Sequence, residues 1–256
     1  MLKKSKKGYY FWEEFANMDG LVHGVSTRNF GSIKNNGKIN EKNLKNFLNA
    51  LRIQRKSIIF PEQVHGSSVV TIDDSKNQFI QNVDGLITNK KNIFLGVVTA
   101  DCLPVIFYDP QIGAVGVAHA GYKGLLRGIL QEMIRGMKKL GSDVKNTKIA
   151  IGPAIGACCY DVPYDRAEMF VNSDGDSGRS RQVGIARMTT IYQIRKGKYF
   201  LDLKNIAKLS LISEGVPENN IEVSDICTKD NIKDFFSFRK EGPKNFGDFA
   251  TVVGKV

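Results

Sequence analysis

An α/β fold of mixed strands and flanking helices is what the sequence predicts, on three observations. Short apolar runs of strand length recur along the chain, each closed by Gly, Pro, Asn or Asp. Segments with apolar residues at helical spacing lie between them. Neither an internal repeat nor a linker interrupts the 256 residues, so a single domain over residues 1–256 is expected.

The elements follow in order. Residues 22–28 read as a strand in an edge hairpin, and Gly31 to Gly37 as a polar loop. Leu44, Phe47, Leu48 and Leu51 carry the 3-4-7 spacing of an amphipathic helix over residues 43–51. Strands are expected at residues 57–60, 69–72, 84–88, 94–99, 105–108 and 114–118. The clearest helix then presents Leu126, Ile129, Leu130, Met133, Ile134, Met137 and Leu140 on one face and ends at Gly141. A strand at 148–151 leads into the turn Gly152-Pro153-Ala154-Ile155-Gly156, followed by a helix over 164–171 and a polar loop over 172–181. Residues 202–213 read as a helix, 221–226 as a strand and 235–238 as a last, aromatic strand.

Composition narrows the class. Hydrophobic content of 42% and charged content of 25% are those of an ordinary globular chain. The net charge of +11 fits an anionic small substrate, a nucleic acid or simply a lysine-rich proteome. Lys and Asn abound together, and the basic residues are scattered without interleaved aromatics. That favours the last reading, with no nucleic-acid partner. Four cysteines, spaced irregularly apart from vicinal Cys158-Cys159, do not form a disulfide framework. The basic N-terminus lacks the apolar core of a signal peptide, and no run is long enough to span a membrane, so a cytoplasmic protein is expected.

Three residues stand out chemically. His65, Cys102 and His119 each sit beside an apolar run and next to Gly or Pro, where α/β enzymes present side chains to ligands. Two imidazoles and a thiolate form a three-ligand metal set that leaves one position open, as in catalytic sites. Zinc suits nitrogen and sulfur together; copper accepts the same donors. Spacing alone leaves open the plainer alternative of a buried small Cys and two satisfied histidines.

Several runs, taken together and in this order, resemble one family. They are His23-Gly24-Val25-Ser26-Thr27-Arg28, Gln63-Val64-His65-Gly66, Asp84-Gly85-Leu86-Ile87-Thr88, Thr99-Ala100-Asp101-Cys102-Leu103-Pro104-Val105, His119-Ala120-Gly121, the glycine turn with Cys158-Cys159-Tyr160, and Phe236-Ser237-Phe238-Arg239. The chain is similar to the multicopper polyphenol oxidase (laccase-domain) family of purine nucleoside phosphorylases. The resemblance implies a four-layer α/β/β/α fold of the YfiH-like kind. It implies a catalytic zinc on His65, Cys102 and His119, with copper as the alternative. It also implies phosphorolysis of adenosine, inosine, guanosine and methylthioadenosine, with adenosine deamination; purine nucleoside and phosphate are then the partners of a monomer or small homo-oligomer.

Within that reading, Asp101 is a candidate proton shuttle, although alternation along a strand would turn it away from Cys102. Arg28, Lys123 and Arg239 are candidate phosphate partners, and backbone N–H groups from Gly121 to Gly124 offer an anion site. Tyr122 and Lys123 stand where the family usually has Trp and Arg; Tyr can still stack on a base, whereas Lys lacks the guanidinium fork. The tail through Asn245-Phe246-Gly247-Asp248 also departs from the family's basic and small residues. Cys158 and Cys159 are read as packing after the glycine turn rather than as a fourth ligand, Cys227 as core, and His23 as a strand-end residue. Two other classes compete: a hydrolase with Cys102 as nucleophile and His119 as base, which leaves His65 unused, and a non-enzymatic basic binding module, which leaves all three unused.

Overall fold

Leu103, Val105 and Phe107 face one way along a single strand, Ile106 and Tyr108 face the other, and both sets are buried. A strand apolar on both faces must be covered twice. In this protein one cover is a second sheet and the other a layer of helices. The computed structural model describes residues 1–35, 37–170 and 191–256; the expected loop at 172–181 and the end of the expected 164–171 helix lie outside the described residues.

In chain order the described strands are β1 (Leu2–Lys4), β2 (Tyr10–Trp12), β3 (Leu21–Val25), β4 (Lys34–Asn35), β5 (Lys38–Ile39), β6 (Ile58–Pro61), β7 (Val69–Thr71), β8 (Phe79–Ile80), β9 (Gly85–Thr88), β10 (Phe94–Thr99), β11 (Leu103–Asp109), β12 (Ala114–Ala120), β13 (Lys148–Ile151), β14 (Asp161–Val162), β15 (Tyr192–Arg195), β16 (Lys198–Leu201), β17 (Ile221–Val223) and β18 (Phe249–Lys255). A seven-stranded sheet runs β1-β2-β3-β18-β10-β6-β8, and a six-stranded sheet runs β17-β13-β11-β12-β9-β7. Both mix parallel and antiparallel pairs.

Side-chain alternation then builds four layers. Leu95, Val97, Phe249 and Val253 from the first sheet meet Ile106, Val115, Val117 and Ala150 from the second. On its other face the second sheet packs Val105, Phe107, Ile149 and Ile151 against the helices Ile129–Lys139 and Leu203–Ser213. The first sheet packs Ile58, Phe60, Val98, Ala250 and Val252 against Leu44, Phe47 and Leu48 of the helix Glu41–Leu51. Asn40 caps that helix by accepting a hydrogen bond from the Asn43 N–H, and Asp202 does the same for the Asn205 N–H. The order is therefore helix, sheet, sheet, helix.

Four expectations are corrected. β3 is no edge strand, because β2 and β18 flank it. Residues 235–238 are not a strand: Phe235 and Phe236 are buried and Ser237 caps the short helix Phe238–Glu241. The last strand is instead β18, which lies inside the first sheet between β10 and β3. The long helix after His119 is two, Tyr122–Leu126 and Ile129–Lys139, parted by Gly128 at φ 80°.

A candidate metal centre in a basic, aromatic cleft

The registers of β9, β12 and β11 assemble the site. Leu103 pairs with Ala120, so Cys102, just before β11, lies beside Gly121, just after β12. Ala118 pairs with Gly85, so His119 lies beside Asp84, whose carbonyl accepts the His119 N–H at 2.8 Å. The turn Ala100-Asp101-Cys102 carries the chain from β10 in one sheet to β11 in the other, so the site sits where the two sheets are joined. His65 arrives on the loop before β7, held by Gln63, which donates to the Val98 carbonyl at 2.7 Å and accepts the Val98 N–H at 2.9 Å.

One carboxylate organises this loop and the second histidine. Asp84 is fully buried, and it accepts the N–H groups of Val64 (3.2 Å), His65 (3.0 Å) and Gly66 (2.7 Å). It also lies 2.7 Å from His119 Nδ1. Burial alone would raise its pKa, but the His119 and backbone hydrogen bonds reverse that and lower it. With Nδ1 thus occupied, Nε2 is the nitrogen His119 has left for a ligand, as in a carboxylate–histidine–metal arrangement. His65 is held at φ 57° and Asp101 at φ 86°, both in the left-handed region.

His65, Cys102 and His119 bring their ligating atoms within 4.8 Å of one another, with Cys102 Sγ 3.9 Å from His65 Nε2. The imidazole rings stand edge to face at 4.6 Å. Burial disfavours the Cys102 thiolate, but the two imidazoles outweigh it and bring the pKa down to about 6. Burial likewise disfavours the His119 cation, but the Cys102 thiolate and Asp84 bring its pKa up to about 9. A thiolate and two imidazoles converging on one point fit a metal ion by donor type and by distance. Gly121 leaves room for them: a Cβ there would fall 2.9 Å from Cys102 Sγ and 3.1 Å from His65 Cδ2.

The trio opens into a cleft of about 520 Å³. Tyr122, Tyr160, Phe238 and Phe246 give it aromatic faces, and Lys34, Arg166 and Arg239 give it positive charge. The Arg166 guanidinium lies 4.4 Å from the Tyr122 ring centre and that of Arg239 4.9 Å from Tyr160. Asp248 also lines the cleft, its pKa raised to about 6 by burial against the opposing pull of Lys34 and His119.

The other expected site residues divide. Tyr122, Asp101 and Arg239 line the cleft with the trio. The Asp101 carboxylate is engaged, accepting from Thr228 Oγ1 at 2.6 Å and from the Arg239 N–H at 2.7 Å; it holds the turn that carries Arg239. Arg28 stays outside: it donates to the Phe235 carbonyl, pairs with Glu241 and lies over the Phe236 ring, so it braces the turn before the last helix. Lys123 is exposed and does not line the cleft, because it sits on the outer side of a single helical turn. His23 is buried in the core, accepting the Trp12 N–H at 2.9 Å. Sequence reasoning missed Asp84, Arg166, Lys34 and Asp248. For Asp84 a signal existed, an acid directly preceding the strand-like run Gly85-Leu86-Ile87-Thr88; for the rest there was none.

Over residues 22–255 the chain matches the family described as multi-copper polyphenol oxidoreductase laccase. It is 32% identical to the purine nucleoside phosphorylase YlmD of Bacillus subtilis, covering 90% of this chain and 84% of that protein. It is 29% identical to the adenosine deaminase RL5 of an unknown prokaryotic organism, covering 80% and 78%. Two crystal structures superpose closely. The hypothetical protein YfiH of Bacillus licheniformis gives a TM-score of 0.87 at 27% identity, covering 100% of this chain and 99% of that one. YlmD of Geobacillus stearothermophilus gives 0.86 at 26%, covering 99% and 98%. The chain belongs to the multi-copper polyphenol oxidoreductase (laccase-domain) family that includes the YlmD purine nucleoside phosphorylases.

Proposed function

We propose that this chain is a zinc-dependent purine nucleoside phosphorylase, acting on adenosine, inosine, guanosine and methylthioadenosine, that also deaminates adenosine. In this reading it is a cytoplasmic, single-domain enzyme, monomeric or a small homo-oligomer. The observation that carries the proposal is the His65–Cys102–His119 cluster opening into a nucleoside-sized cleft with aromatic and cationic walls. The names of the YlmD and RL5 relatives support both activities.

His65 Nε2, Cys102 Sγ and His119 Nε2 would hold the metal, and Asp84 fixes the His119 tautomer. When bound, zinc supplies Lewis-acid activation of water at neutral pH, the chemistry deamination at C6 needs. Tyr122 and Tyr160 offer faces for the base. Phosphorolysis places phosphate against C1′: the C1′–N bond breaks, a C1′–O bond forms, and the base leaves with a proton as ribose 1-phosphate is released. Arg166, Arg239 and Lys34 are the cations positioned to hold that phosphate, in place of Lys123. Asp248 takes the proton-carrying part first given to Asp101, because its carboxylate lines the cleft and no hydrogen bond engages it among the described residues. Adenosine incubated with phosphate should give adenine and ribose 1-phosphate, and inosine with or without phosphate. Adenine forming equally fast without phosphate would refute the phosphorylase.

One observation favours a second reading. Cys102, His119 and Asp84 form a thiolate–imidazole–carboxylate series like that of a cysteine hydrolase. Cys102→Ala separates the two on one preparation: loss of both metal and activity supports the metal ligand, and loss of activity with metal retained supports the nucleophile.

A further inference from the structure

We infer that Cys158, Cys159, Cys227 and Asp230 form a second, structural metal site for a thiophilic divalent cation such as zinc. The four donors come from two turns, one after β13 and one after β17, and their ligating atoms all lie within 4.8 Å of one another. The Asp230 carboxylate gathers the vicinal pair: Cys158 Sγ lies 3.1 Å from Oδ2 and Cys159 Sγ 3.1 Å from Oδ1. Cys227 is buried beneath them, and its sulfur accepts the Gly156 N–H at 3.3 Å. Three sulfurs and one oxygen complete a tetrahedral set with no open position, the pattern of a structural rather than a catalytic centre. Bonds of about 2.3 Å to sulfur give tetrahedron edges of about 3.8 Å, within the 4.8 Å span of the cluster.

Binding there would replace three thiol protons by one cation, releasing them to water. The expected reading of Cys158 and Cys159 as packing is at odds with the exposure of Cys158.

The site would staple one wall of the cleft. Thr228, next to Cys227, donates to Asp101 Oδ1, and the Ile155 N–H donates to the Asp101 carbonyl at 3.0 Å. Tyr160, next to Cys159, lines the cleft. The wall that bears Tyr160 and Asp101 is thus tied directly to both turns.

The test removes the first centre. A His65→Ala/His119→Ala variant of the full chain, purified under reducing conditions, stripped and titrated with zinc chloride, should bind one equivalent. Adding Cys158→Ser and Cys159→Ser should bring the count to zero with an unchanged far-ultraviolet circular dichroism spectrum. Asp230→Asn, an exposed and mild change in the same background, should weaken binding at least tenfold. No zinc bound by the double-histidine variant, an unchanged count after the serine substitutions, or a disulfide among these cysteines in the reduced, folded protein would each overturn the inference. Nucleoside turnover plays no part in these measurements, so they stand or fall separately from the proposed activity.

Discussion

Asp84→Asn tests the organisation of the metal centre directly. Oδ1 of Asp84 faces the His65 N–H and His119 Nδ1, and Oδ2 faces the N–H groups of Val64 and Gly66. An asparagine has one acceptor and one NH2 group. Keeping its oxygen on the histidine side turns the NH2 toward two backbone donors, in a position with no solvent exposure. Two part-buried N–H groups left unsatisfied cost up to about 1–3 kcal/mol each, so roughly 2–6 kcal/mol is the upper bound. The opposite flip saves them but sets the NH2 against the His65 N–H and leaves Nδ1 of His119 without its acceptor, and losing such a partner costs roughly 10–100-fold in metal affinity. The assays are urea unfolding of the metal-free protein and competition for metal with a chromophoric chelator. If Asp84→Asn leaves both the unfolding midpoint and the metal affinity at wild-type values, Asp84 does not organise this centre.

Other outcomes follow from the same geometry. Gly121→Ala should displace a ligand, since its Cβ meets Cys102 Sγ at 2.9 Å, while φ −76° accommodates alanine; metal content should fall with little change in the unfolding midpoint. Arg166→Ala should depress adenine formation roughly tenfold or more while sparing inosine formation, the effect of losing a charge-assisted hydrogen bond to phosphate; Lys123→Ala, outside the cleft, should change neither product by more than about twofold, and an equal fall in both products from Arg166→Ala would rule it out as a phosphate ligand. Asp248→Asn should slow deamination and flatten the acid limb of its pH profile near pH 6, where the carboxyl titrates; an unaltered limb would count against a proton-carrying part. In the metal-free protein the His119 and Cys102 contributions should run in opposite directions and leave stability nearly flat between about pH 6.5 and 9. His119, raised to about 9, contributes fully below its ordinary value and loses that contribution as pH rises through 9. Cys102, lowered to about 6, contributes fully above its ordinary value and loses it as pH falls through 6. Melting temperature against pH should show the flat stretch, and a dome with its maximum inside that window would count against the opposed pair.

The sequence by itself determined the elements whose pattern is local. Residues 94–99 and 148–151 are strands at the expected positions, and the 3-4-7 spacing of Leu44, Phe47, Leu48 and Leu51 marks the buried face of the Glu41–Leu51 helix. Residue chemistry also singled out His65, Cys102 and His119, because few side chains bind metals and these three sit near apolar, strand-like runs beside Gly or Pro. Tertiary structure alone decided which strands are interior: β18 reads as a tail until β10 and β3 pair with it on either side, and pairing across more than a hundred residues leaves no mark in a short window. It decided the charge of the cleft as well. Lys123 is two residues from Gly121 yet faces solvent, whereas Arg166 and Asp248, remote in sequence, line the cleft wall. A side chain's reach depends on the packing of the element that carries it, and packing is set by partners the local sequence does not contain.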